Sequence, residues 1–162
     1  MKKLILFLPV VFIMCKAVAQ LKPRVSCGTF TVDILDGVVN GLRPDIHPDK
    51  IKEKLPCFST AVKEEATAKC GGGVFYKDRD IYFYTSRDYV EIGEKFKGKL
   101  SLPLMNAKRN SLYKWLGKPQ LKDPDWEAYQ TQYGCLVLYF RAGVVKKIQF
   151  STKGTGSLQL CQ

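Results

Sequence analysis

The chain has 162 residues, with 26 Lys and Arg against 15 Asp and Glu, a formal net charge of +11, six cysteines and one histidine. This length suits one ordinary domain, and a lone histidine without any C-x-x-C pair leaves no ligand set for zinc. The lysines are dispersed, with no run longer than Lys146-Lys147, so nucleic acid is not expected and the basic balance points to an anionic partner such as an acidic protein.

Lys2 and Lys3, an apolar stretch over 4–14 broken only by Pro9, and Ala17-Val18-Ala19 ahead of Gln20 form the pattern of a secretory signal. Residues 1–19 are therefore read as a cleaved signal peptide and 20–162 as a single secreted or periplasmic domain. Cleavage would remove Lys2, Lys3 and Lys16 and lower the formal charge from +11 to +8. The apolar stretch is shorter than the roughly 20 residues of a spanning helix. No later run approaches that length, so the product is not expected to span a membrane. Bulky Ile13-Met14 ahead of Cys15 argues against lipidation there.

In an oxidising compartment the five remaining cysteines read as disulfides. Cys57 and Cys70 bracket a short polar segment and are the first choice for a bridge, which would stabilise by about 3 kcal/mol. A second bridge joins two of Cys27, Cys135 and Cys161. Cys161 ties the tail onto Cys27 or Cys135, or Cys135 is simply buried at the head of a strand.

Along the chain, Phe30, Val32 and Ile34 alternate with Thr29, Thr31 and Asp33, a half-buried strand. Pro48-Asp49 opens a short helix that ends at Leu55-Pro56, with Ile51 and Leu55 on one face. His47 reads as a loop residue. Gly71-Gly72-Gly73 lacks the Lys-Ser/Thr of a phosphate loop and reads as a flexible turn. Strands are predicted over 74–76, 81–85 and 89–92, and a short one over 100–104. A second helix over 109–116 carries Leu112, Trp115 and Leu116 on its apolar side and stops at Gly117 and Pro119. Three further strands come next, over 126–131, 135–140 and 144–150.

The two halves overlay: 81–85 with its turn and Tyr89-Val90 matches 136–140 with its turn and Val144-Val145, at a constant offset. The expected fold class is thus α+β. It is a tandem repeat of a short helix plus an antiparallel three-stranded meander, over 28–96 and 97–152, with both helices on one face of the sheet and a short C-terminal tail.

Leu116-Gly117-Lys118-Pro119, then 133–140 and 143–148, with a turn and Val-x-x-Ile, resemble the repeat of the β-lactamase-inhibitor-protein-like fold. Small outer-membrane assembly lipoproteins share that fold. The first half departs from the pattern, with Leu55-Pro56 where Leu-Gly-x-Pro is expected. The resemblance implies an exported protein that binds other proteins as an inhibitor or scaffold, without catalysis or cofactor.

Strand periodicity places Leu136, Leu138, Phe140, Val144, Ile148 and Phe150 beneath the helices. Val137, Tyr139, Val145, Lys147 and Gln149 fall on the opposite face. The candidate binding face collects Tyr82, Tyr84 and Tyr139, joined by Trp126 and Tyr129, because tyrosine and tryptophan rimmed by cations suit protein interfaces. The expected function is a non-enzymatic protein-binding module of inhibitor or immunity type. The alternatives are a small envelope hydrolase using the acidic cluster Asp123, Asp125 and Glu127 on a glycan, or a structural envelope protein. No cofactor, metal or catalytic residue is expected.

Overall fold

The computed structural model describes residues 25–63 and 70–159. The proposed signal, Cys15 and Cys161 lie outside the described residues. Strand alternation organises most of the architecture. In β5 (Ile81–Tyr84), Ile81 and Phe83 are fully buried while Tyr82 and Tyr84 are half-buried, the signature of a sheet with two chemically unlike faces. Its neighbours are β3 (Thr60–Val62), β4 (Gly73–Tyr76) and β6 (Tyr89–Ile92). After β7 (Lys99–Leu100) come β8 (Leu121–Lys122), β9 (Trp126–Gln130), β10 (Cys135–Arg141) and β11 (Val144–Ser151). Eight of these form one antiparallel sheet in the order β3-β4-β5-β6-β11-β10-β9-β8.

A second, three-stranded sheet has the order β2-β1-β7, where β1 is Thr31–Asp33 and β2 is Val38–Val39. It packs with α1 (Pro48–Lys54) and α2 (Arg109–Leu116) against one face of the large sheet. Phe30, Val32, Ile51 and Leu112 meet Val74, Phe83, Ile148 and Phe150 in a single apolar core. The hydroxyl of Tyr76 donates to the Leu55 carbonyl at 2.7 Å, pinning the end of α1 to β4.

The expected repeat of a helix plus a three-stranded meander is not what the chain forms. Among the described residues the chain is mostly β, with two short α-helices, and each meander has a fourth strand (β3 or β8) within one continuous sheet. Strand pairing also crosses the proposed boundary at 96/97. β7 lies parallel to β1, with Thr31 opposite Lys99 and Val32 opposite Leu100, so the start of the second half completes the small sheet of the first. That pairing is long-range, and β3 and β8 are too short and too exposed to show alternation.

Further expectations need correction. Cys57 pairs with Cys27, not with Cys70, at a Cα–Cα separation of 5.5 Å. Cys70 is also disulfide-bonded, to a partner outside the described residues, and Cys135 is a free, buried thiol. Trp115 does not join the core: it is 44% exposed, and only Leu112 of α2 is fully buried. Val145 is buried in the main core and not on the opposite face, because the β10–β11 register shifts between Tyr139 and Phe140 and so changes the alternation. Gly73 is no flexible turn but the buried first residue of β4. No helix among the described residues is long and apolar enough to cross a membrane.

Candidate functional site

The face of the large sheet opposite the core is built from the other half of each strand's alternation. Cross-strand pairing sets one row of side chains over all eight strands: Thr60, Phe75, Tyr82, Glu91, Gln149, Val137, Ala128 and Leu121. On one side of it run Tyr84, Tyr89, Ser151, Cys135 and Gln130. On the other, Lys147, Tyr139 and Trp126 stand opposite one another.

The row divides into two environments. Over its β9–β11 half, Leu158 from the segment after β11 packs on Ala128, Cys135 and Val137, with Trp126 and Tyr139 at the margin. Gln130 Oε1 accepts from the Thr155 amide at 3.0 Å, and Arg87 donates to Gln159 at 2.7 Å. A cavity of about 20 Å³ remains beneath this segment, lined in part by Tyr89, Cys135 and Gln149. Burial pushes the Cys135 thiol up to about 11, so it is neutral there.

Over the β4–β6 half, the rings of Phe75, Tyr82 and Tyr84 form a half-buried cluster. Their centroids are 5.2 to 6.4 Å apart, and Tyr84 stacks on buried Tyr89 at 4.6 Å. Such tilted and offset pairs are favourable beyond the area they bury.

Glu91 stands at the junction of the two halves. Its Oε2 accepts from Gln149 Nε2 at 2.6 Å and lies 3.3 Å from Lys147 Nζ. Gln149 Oε1 accepts in turn from the Tyr139 hydroxyl at 2.8 Å, and Lys147 sits 4.1 Å over the Tyr139 ring. Burial, reinforced by the Glu91 charge, raises the pKa of Tyr84 (to about 12), Tyr89 and Tyr139. Tyr82 is raised as well, by burial first and then by Asp80 and Glu91. All four phenols are therefore neutral hydrogen-bonding groups near pH 7, fit for recognition.

Of the five expected face residues, the structure brings Tyr82 and Tyr84 together in the half-buried cluster and puts Tyr139 and Trp126 at the margin of the separate patch that Leu158 covers. Tyr129 is a correction: it lies in the main core at 2% exposure. Three positions from Trp126 on one strand, it must face the other way. Phe75, Asp80 and Glu91 are not expected on this face from the sequence, whereas Gln149 is. The alternation of Gly73 and Phe75 against Val74 and Tyr76 is the signal that places Phe75.

The acidic cluster is divided among structural tasks. Asp123 Oδ1 accepts from the Asp125 amide at 3.3 Å in an exposed turn. Glu127 is fully buried on the core side, accepting from the hydroxyls of Tyr129 and Tyr113. His47 caps α1, its Nδ1 accepting from the Asp49 amide at 3.3 Å. Among the described residues no three His, Cys, Asp or Glu side chains converge as a metal site.

No protein-family model, curated protein or solved structure matches this chain. The functional reading therefore rests on the residues and their geometry.

Proposed function

We propose that this is an exported binding protein that holds another protein against the aromatic face of its large sheet, in the manner of an inhibitor or immunity protein. The observation that carries this reading is the ring cluster of Phe75, Tyr82 and Tyr84. It stays only half-buried on β4 and β5, toward the β3 edge of the sheet, while both helices and the small sheet pack on the opposite face. Aromatic anchors on a rigid sheet lose little entropy on docking. The disulfides at Cys27–Cys57 and at Cys70 suit an oxidising compartment, in keeping with the signal read at 1–19.

The test is capture from extracytoplasmic extracts by the purified protein and by its Tyr82→Ala/Tyr84→Ala variant. One partner should be retained by the native protein and bound at least about thirtyfold more weakly by the variant. Equal capture by a variant with unchanged far-UV dichroism would overturn the reading.

A further inference from the structure

We infer that the partner presents a cation, an arginine or lysine side chain, to the ring cluster of Phe75, Tyr82 and Tyr84 between Asp80 and Glu91. This rests on the binding reading above and reverses what net charge suggests. The chain as a whole is strongly basic, yet the two charged groups bordering Tyr82 are both carboxylates. Glu91 stands directly opposite Tyr82 across the β5–β6 pair. The Tyr82 hydroxyl donates to Asp80 Oδ1 at 3.2 Å.

Both carboxylates are held in place, and both keep acceptor capacity. Asp80 Oδ2 takes the Lys95 amide at 2.7 Å, and the carboxylate lies so close over Gly93 that a Cβ there would overlap it. Its partners are neutral: among the described residues no Lys or Arg pairs with Asp80. Glu91 uses only Oε2 toward Gln149 and Lys147, its side chain is 18% exposed, and Oε1 accepts no hydrogen bond among the described residues.

The chain supplies its own example of the chemistry. At the covered end of the same face, Lys147 lies over the Tyr139 ring and beside Glu91, a cation held by one π face and one carboxylate. The Phe75–Tyr82–Tyr84 cluster has three π faces and two carboxylates, and among the described residues no cation sits on its rings. Ring quadrupoles attract a cation most strongly once water is excluded, as it would be beneath a docked partner. An acidic segment placed there would instead meet two like charges.

The experiment titrates the purified protein, with ¹³C-labelled aromatic residues, against tetra-arginine amide and separately against tetraglutamate, following ring resonances by NMR. Tetra-arginine should shift Phe75, Tyr82 and Tyr84 saturably, more weakly at high salt, and the Asp80→Asn/Glu91→Gln variant should raise its Kd about tenfold. Both substitutions keep side-chain size; Glu91→Gln can keep the oxygen that Gln149 uses, Asp80→Asn keeps one of the two oxygens that accept from Tyr82 and the Lys95 amide, and far-UV dichroism checks the fold. No shift, shifts equal in the variant, or stronger binding of tetraglutamate would each overturn the inference. Partner capture separates the two proposals. A partner lost with Tyr82→Ala/Tyr84→Ala but retained by Asp80→Asn/Glu91→Gln leaves the face as the site and removes the cation. A partner indifferent to both removes the face itself.

Discussion

Tyr129 donates its hydroxyl to Glu127 Oε2 at 2.7 Å from two positions along the same strand, and Glu127 has no solvent exposure. The other oxygen accepts from Tyr113 of α2 at 3.3 Å, with Arg109 Nε at 3.7 Å and Lys122 Nζ at 3.9 Å. One carboxylate thus fastens α2 and β8 to β9, and α2 needs it, because its N-cap Lys108 makes no capping bond and its first turn has no acid. Removing one partner of a buried ion pair strands the others. Glu127→Ala should cost about 3 kcal/mol in urea unfolding, and Tyr129→Phe about 1–3 kcal/mol through the lost hydrogen bond. A loss below about 0.5 kcal/mol for Glu127→Ala would mean that the cluster does not hold α2 in place.

The same cluster separates what was legible in the sequence from what was not. The helix at 109–116 and the strand through 81–84 are legible because opposite faces of each element meet unlike surroundings, and 136–140 because it is a short apolar run, buried on both faces from Leu136 to Leu138. The destination of Glu127 is not. As part of a run with Asp123 and Asp125 it reads as one acidic patch, yet alternation and a neighbouring tyrosine bury it alone. Trp115 fails for the converse reason: helical spacing puts it beside Leu112, but α2 is so shallowly seated that only Leu112 is fully buried and Leu116 packs at the core's edge. The cysteine pairing fails because proximity in sequence favours Cys57 with Cys70. In the fold, the segment entering β1 runs past the exit of α1, bringing Cys27 to Cys57 over a separation of 30 residues.

That bridge supports a second prediction. It closes a loop containing β1, β2 and α1, and the Cys57 amide donates to Cys27 Sγ at 3.2 Å, so the pair is packed as well as linked. A loop of this size restricts the unfolded chain by roughly 3–4 kcal/mol in the chain-entropy model. Replacing Cys27 and Cys57 together by serine should lower stability by that order in chemical denaturation. Unchanged stability would place the bridge outside the cooperative unit.

Cys135 predicts a response to alkali. Burial raises its thiol from an ordinary value near 9.0 to about 11. The folded chain therefore holds that proton more tightly than the unfolded chain, and stability must fall as pH rises from about 9 toward 11. Tyr84, pushed up to about 12, extends the decline above pH 10. Urea midpoints at pH 8, 9.5 and 10.5 should drop progressively in the native protein and less steeply in Cys135→Ala. The folded thiol should also react slowly with a disulfide reagent at pH 8, since the reactive thiolate is scarce. Rapid labelling at that pH would contradict the burial.

Gly73 joins stability to the aromatic face in one position. It is buried, pairs with Val62, and a Cβ there would overlap both the Phe83 carbonyl and the Phe75 ring. The carbonyl is part of the β4–β5 ladder and cannot yield without loosening it, whereas the ring can move only by leaving its place beside Tyr82 and Tyr84. Gly73→Ala should therefore cost about 1–3 kcal/mol as overpacking and shift the ring resonances of Phe75 and Tyr84 even where the fold survives. Gly156→Ala is the control: nothing lies within 4 Å of its added Cβ, so its stability should stay within about 0.5 kcal/mol of the native protein. If Gly73→Ala matched that control in both stability and spectrum, β4 would not be what holds Phe75 against Tyr82 and Tyr84.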